Sequence, residues 1–253
     1  MREYDVGSGS GSKWKRVVIG GRTKSGKTHF ASTWPKPWFL SDATEGGAAT
    51  LRYMDKDFWW DKSVPPKVSE IENMMEFPQF ITKLVNQKVI HEQTLVIDSL
   101  SIYAQRVLRE LRLANPGQDN RQRYGELADA LSAQIGRVHS LPMHIVWLCH
   151  INDEMQLTVP GKASEALWAY MDYLWMTHVE AQVGKGSDFQ LYIRPYLRAT
   201  WLGGRSSIAA PNPIIPSFKV MAELLGLPDR PVSPACPDFA GVSYRDGASY
   251  LAA

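Results

Sequence analysis

The sequence predicts an α/β protein: a mostly parallel central sheet flanked by helices, with a late antiparallel hairpin. Three observations predict it. Short apolar, β-rich runs alternate with segments whose apolar residues recur at helical spacing, the pattern of a parallel sheet covered on both faces. A glycine-bearing turn, Gly20-Gly21 to Gly26, separates the first run from the first helical segment. The 253 residues are 44% hydrophobic and 21% charged, enough apolar material for one large α/β domain.

Taken in order, residues 1–12 end in Gly7-Ser8-Gly9-Ser10-Gly11-Ser12, a composition that builds no core and reads as a flexible arm. Residues 13–227 form the core of the reading. Trp14 to Gly20 is the first strand. Lys27 to Trp34 is a helix, stopped by Pro35 and Pro37. Trp38 to Ser41 is a second strand. Residues 55–68 are aromatic, charged and proline-bearing and read as an insertion or loop, followed by a helix from Ile71 to Lys88. Thr94 to Ile97 is a third strand. Leu100, Tyr103, Val107, Leu108 and Leu111 share a helical face. Arg112 to Arg123, centred on Pro116-Gly117, reads as a polar loop.

Leu127, Leu131, Ile135 and Val138 mark the next helix, and His144 to Cys149 a fourth strand. Trp168 to Met171 reads as a helix edge and Tyr173 to Val179 as a fifth strand. Phe189 to Pro195 and Arg198 to Leu202 read as the antiparallel hairpin, and Lys219 to Leu225 as a last helix. Residues 228–253 carry four prolines and little periodicity, a loosely packed tail. Ligands of such sheets bind at the carboxyl ends of the strands.

Composition narrows the function classes. A formal net charge of +2 is too small to argue for nucleic acid by itself, so such binding must come from local patches. The two cysteines, Cys149 and Cys236, form no CxxC pair, which fits a reducing, cytoplasmic setting. No signal-peptide pattern is visible, and no apolar stretch approaches the roughly 20 residues that span a bilayer.

The strongest motif is Gly21-Arg22-Thr23-Lys24-Ser25-Gly26-Lys27-Thr28, matching G-x-x-x-x-G-K-[ST]. Glycines let the backbone curl so that successive N–H groups point at phosphate oxygens. The helix beginning near Lys27 adds its positive end. Lys27 is expected to reach the β- and γ-phosphates of ATP, Thr28 to bind Mg²⁺, and His29 to border the nucleotide. Downstream, Thr94-Leu95-Val96-Ile97-Asp98-Ser99 is an apolar strand ending in an acid. Asp98 is placed to hold Mg²⁺ beside Thr28; the alternative is that Asp98 and Ser99 merely cap the helix at Leu100.

This order of phosphate loop, strand-end acid and later strand-end polar residue resembles the RecA/RadA superfamily. It is most similar to the phage-encoded RecA-like ATPases that include Sak-type single-strand annealing recombinases, over residues 14–225. The resemblance implies that Glu45, in Phe39-Leu40-Ser41-Asp42-Ala43-Thr44-Glu45, orients the attacking water, with Asp42 as the alternative. It implies that His150, after Val146-Trp147-Leu148-Cys149, senses the γ-phosphate, and that Arg205 reaches a neighbouring subunit's nucleotide. The lysine usual near that arginine in relatives is absent here. Arg112, Arg121, Arg123 and Tyr124 fall where relatives carry a first DNA-contacting loop. Ile151 to Ser164, with Lys162, falls at the second.

The implied partners are single-stranded DNA and further copies of the chain in a ring or filament. A single-strand-binding protein is a further candidate, although no acidic C-terminal tail is visible. The cluster Phe58-Trp59-Trp60 reads as a loop or core anchor, a stacking platform or an assembly contact. Trp168, Tyr170, Tyr173 and Trp175 read as packing residues. Two other functions compete: a nucleotide-gated assembly module without DNA binding, and, more weakly, a small-molecule kinase, for which no Arg-rich lid segment follows the fourth strand.

Overall fold

The computed structural model describes residues 14–43, 47–53, 65–73, 76–86, 92–160, 164, 169–182, 186–192, 202–204, 213–214 and 217–225. Among these residues eight strands form one sheet. They are β1 (Arg16–Gly21), β2 (Pro37–Asp42), β3 (Lys67–Ile71), β4 (Thr94–Asp98), β5 (His144–His150), β6 (Tyr173–Gln182), β7 (Gly186–Tyr192) and β8 (Gly203–Gly204). The order across the sheet is β3-β2-β4-β5-β1-β6-β7, with β8 also paired to β6. Strands β3 to β6 along this path run parallel, and β7 and β8 run antiparallel to β6. The predicted α/β class is therefore the observed one.

The two faces follow from the period of two along each strand. Val18, Leu95, Ile97, Ile145, Trp147 and Cys149 join one core with helices α2 (Glu76–Asn86), α3 (Leu100–Ala114) and α4 (Asn120–His139). Their alternates Val17, Ile19, Val96, Val146 and Leu148 join the other, with α1 (Lys27–Ser32) and α5 (Phe218–Leu224). A 3-10 helix, Gly47–Tyr53, adds buried Leu51 to the second core. Among the described residues no helix is long and apolar enough to cross a membrane.

Three expectations are corrected. The helix expected from Ile71 begins only at Glu76, because residues 67–71 form β3, parallel to β2 with Trp38 opposite Lys67. Trp38 holds this edge strand twice: its Nε1 donates to Ser69 Oγ at 3.0 Å, and Lys67 Nζ stands 3.5 Å from the ring centroid. The segment 112–123 is not one loop, since α3 runs to Ala114 and α4 begins at Asn120, leaving a turn over 115–119. The antiparallel hairpin joins β6 to β7, so Phe189 lies inside a strand that begins at Gly186 and pairs back onto Val179; residues 193–201 of the expected hairpin lie outside the described residues. Phe58-Trp59-Trp60 and Trp168 lie outside the described residues. Tyr173 and Trp175 are core residues, and Tyr170 is exposed.

Candidate active site

The phosphate-loop motif leaves the sheet at the end of β1. Register places Gly21 beside His150, the last residue of β5, and puts Leu148 beside Asp98, the last residue of β4. The carboxyl ends of β1, β5 and β4 thus bring the loop, the strand-end histidine and the strand-end acid together.

The loop curls through two left-handed residues, Lys24 (φ 64°) and Gly26 (φ 88°), and a turn in which Ser25 N donates to Arg22 O at 3.1 Å. Gly26 then starts α1, with Phe30 N donating to its carbonyl at 2.8 Å. Lys27 is 6% exposed. Its ammonium donates to Gly21 O at 2.9 Å and Arg22 O at 2.8 Å, which holds the charge inside the curl where phosphates would lie. Gly21 has no room for a side chain: an added Cβ would stand 2.2 Å from Ser25 Oγ and 2.5 Å from Thr177 Oγ1.

Thr28 Oγ1 donates to Asp98 Oδ2 at 3.2 Å, and Asp98 is buried. Helix capping falls to the neighbour instead: Ser99 Oγ accepts from Ile102 N, and Ser99 O from Tyr103 N. The strand-end pair thereby divides its work, the serine on the helix and the aspartate on the loop threonine. These hydroxyl and carboxylate oxygens suit Mg²⁺, which takes one or two protein oxygens and completes its shell with phosphate and water. Among the described residues no group of three or more His, Cys, Asp or Glu is placed to hold a metal without such help.

His150 is half-buried, and its backbone is fixed on both sides. Its N–H donates to Ser101 Oγ at 2.9 Å, and its carbonyl accepts from Thr158 N at 2.9 Å. Residues 151–158 fold back as a tight turn: Ile151 bridges Leu157, Asn152 N donates to Gln156 O, and Gln156 N donates to Asn152 Oδ1. At its tip Asp153 pairs with Arg22 of the phosphate loop at 2.9 Å, both exposed. Burial pushes the Cys149 thiol up to about 12, opposed by the Lys27 charge and a hydrogen bond with Ser101. Cys149 is therefore a protonated core thiol near neutral pH rather than a nucleophile. Burial also lowers the pKa of His29.

Asp42, at the end of β2, is 5% exposed and clamped by a bidentate pair: Arg106 Nε reaches Oδ2 at 2.6 Å, and Nη2 reaches Oδ1 at 2.7 Å. Arg106 Nη1 also donates to Glu72 O at 2.6 Å. One guanidinium thus fastens the ends of β2 and β3 to α3. Asp42, Asp98, Ser99 and Arg106 border a common cleft.

The residues expected to touch DNA are not equivalent. Arg112 and Arg121 are exposed on either side of the 115–119 turn. Arg123 is 9% exposed and donates to Asn115 O, Pro116 O and Asn120 Oδ1, so it builds the turn from inside. Tyr124 is half-buried against the core. Glu45, Lys162 and Arg205 lie outside the described residues.

Three residues that hold the site's parts carried no sequence signal. Ser101 and Arg106 sit on a helix whose apolar spacing dominates its reading. Thr177 follows an aromatic run, and its Oγ1 lies 2.9 Å from Ser25 Oγ.

A family model described as an AAA domain matches residues 13–189. Among solved structures, the chain is similar to a KaiC-like protein from the hyperthermophilic archaeon Pyrococcus horikoshii (15% identity, TM-score 0.45, 71% of this chain and 78% of that one). It is also similar to the flagellar accessory protein FlaH from Methanocaldococcus jannaschii (14% identity, TM-score 0.44, 76% and 82%). A third is an ATPase of the type III secretion system of pathogenic bacteria (13% identity, TM-score 0.46, 64% and 50%). No curated protein matches the chain in sequence.

Proposed function

The chain belongs to the AAA domain family, which its residues 13–189 match, and we propose that this P-loop ATPase is of phage RecA-like type and acts on single-stranded DNA in recombination or annealing. One observation carries the nucleotide part: buried Lys27, held on the carbonyls of Gly21 and Arg22, stands beside the Thr28–Asp98 pair at the carboxyl ends of three adjacent strands.

In this reading water attacks the γ-phosphorus of ATP, the bond to the bridging oxygen breaks, and ADP and phosphate leave. Catalysis is positioning and charge compensation. Lys27 and the loop N–H groups receive the phosphates. Thr28 and Asp98 would hold Mg²⁺, which when bound offsets phosphate charge. Both oxygens of Asp42 accept from Arg106, which leaves Glu45 as the acid proposed to align water. His150 would sense the γ-phosphate, and Arg205 would complete a neighbour's site in a ring or filament.

The DNA part is supported by exposed Arg112 and Arg121, which flank one turn and would contact the phosphate backbone in a salt-dependent way. It is also supported by the Arg22–Asp153 pair, which ties the phosphate loop to the turn after His150. The test is ATPase rate with and without single-stranded DNA, beside Lys27→Ala. DNA stimulation that vanishes in the variant is expected. A flat response with ATP still bound would overturn the DNA reading.

A second reading has its own observation. Residues 151–160 carry exposed Asp153 and Glu154 and no Arg or Lys, a surface better matched to a protein than to a phosphate backbone. In that reading ATP gates assembly. Light scattering that shows one oligomer with and without ATP would remove it.

A further inference from the structure

Strand β6 pairs with β1 only through Tyr173 to Met176, opposite Val17 to Gly20. Thr177 is therefore the first β6 residue past the end of that pairing, at the point where the phosphate loop departs. It is 1% exposed, and so is cut off from water. Its hydroxyl lies 2.9 Å from Ser25 Oγ and 3.5 Å from Gly20 O. Ser25, itself 5% exposed, precedes Gly26 and Lys27 and closes the turn onto Arg22 O.

A chain of two hydroxyls thus crosses the floor of the loop, from Ser25 through Thr177 to the Gly20 carbonyl. The missing Cβ of Gly21 leaves the space in which they meet. On the other flank of β1, His150 stands beside Gly21. The phosphate loop is therefore braced from both neighbouring strands. The β6 brace comes from a residue that the phosphate-loop motif does not include.

We propose that Thr177 is a positioning residue for nucleotide binding: its hydroxyl fixes the Ser25 side chain, and through it the curl that directs the loop N–H groups at phosphate. This deepens the ATPase reading and rests on it. A loop held in its bound shape loses less freedom when phosphate arrives, so the brace acts on affinity. Thr177 touches neither phosphate nor water in this role and is not a catalytic residue.

The test is ATP affinity by titration, with kcat and KM and melting temperature measured in parallel, for Thr177→Val, Thr177→Ser and Ser25→Ala. Valine keeps the shape of threonine and removes the hydroxyl. Thr177→Val is expected to weaken ATP binding about tenfold, the size of one hydrogen bond lost against a polar partner left buried. That loss should appear in KM far more than in kcat. Thr177→Ser restores affinity to within about twofold of the parent. In the double variant Thr177→Val/Ser25→Ala the losses do not add, because both remove one interaction.

Three outcomes overturn the proposal: unchanged affinity in Thr177→Val, a Thr177→Ser as weak as Thr177→Val, or additive losses in the double variant. If Thr177→Val fails to fold, Ser25→Ala alone decides, with unchanged affinity counting against the brace. A parent chain whose ATP binding is absent, or survives Lys27→Ala intact, refutes the ATPase reading and this inference together. A failure confined to position 177 refutes the inference alone.

Discussion

Replacing Arg106 by leucine tests the clamp between α3 and the ends of β2 and β3. The substitution leaves Asp42, 5% exposed, without its bidentate partner and removes the bond to Glu72 O. Breaking a buried ion pair from one side costs about 3–5 kcal/mol, whereas an exposed pair contributes under about 1 kcal/mol. The Arg106 side chain is 23% exposed, and the pair borders a cleft through which water reaches the orphaned carboxylate. The expected loss is therefore intermediate, about 2–3 kcal/mol. For a chain of this length that lowers the melting temperature by roughly 4–12 °C.

Arg106→Lys keeps the charge but not the fork and is expected to lose about half as much. In Asp42→Asn/Arg106→Leu no buried charge is orphaned, so the double variant melts above Arg106→Leu. Thermal unfolding near neutral pH reads all three. An Arg106→Leu protein that melts within about 2 °C of the parent, or a double variant whose losses simply sum, would refute the reasoning.

Other substitutions separate the site's parts. Gly21→Ala drives a Cβ into Ser25 Oγ and Thr177 Oγ1; it is expected to cost about 1–3 kcal/mol and to abolish measurable ATP binding in an equilibrium titration. Arg123→Ala is expected to destabilise by about 1–3 kcal/mol, because it removes a buried side chain whose guanidinium donates to Asn115 O, Pro116 O and Asn120 Oδ1 and so ties the 115–119 turn to the start of α4. Arg121→Ala leaves the melting temperature unchanged and reduces the salt dependence of single-stranded DNA binding. Burial lowers the His29 pKa below the ordinary 6.5, so the unfolded chain takes up that proton first. Stability is lost as pH falls below that ordinary value. His29→Gln should flatten the fall in melting temperature between about pH 7.5 and about pH 5.5.

The strands that were legible in the sequence are those buried on both faces. β1, β2, β4 and β5 read as apolar runs because their central residues enter one or the other of the two cores in turn. β3 was not legible. Of Lys67 to Ile71 only Ile71 is buried, since an edge strand needs little apolar surface when Trp38 and Ser69 hold it laterally. The α4 start was hidden for a related reason. Its apolar stripe begins at Leu127, while its first turns carry Arg121, Gln122 and Arg123, which resemble a loop beside Pro116-Gly117. Burial of Arg123 is a property of the turn it fills, and a guanidinium aimed inward has the same letter as one aimed at solvent.

The site divides along the same line. Lys27, Thr28 and Asp98 were legible because their roles depend on local backbone: a curled loop and the end of an apolar strand. Residues that act across the sheet were not. Ser101 reaches His150 over 49 residues, Arg106 reaches Asp42 over 64, and Thr177 reaches Ser25 over 152. Ser101 stands in the first turn of α3, where capping is the ordinary local explanation, whereas Arg106 and Thr177 stand inside their elements, where no local rule marks a polar side chain. Ser99 shows that this explanation is sometimes right, since its hydroxyl does accept from Ile102 N. Ser101, inside the helix rather than at its cap, is reached by the His150 N–H because β5 lies beside β4. The motif thus specifies which groups meet phosphate, and the order of strands β6-β1-β5-β4-β2 specifies which groups hold them still.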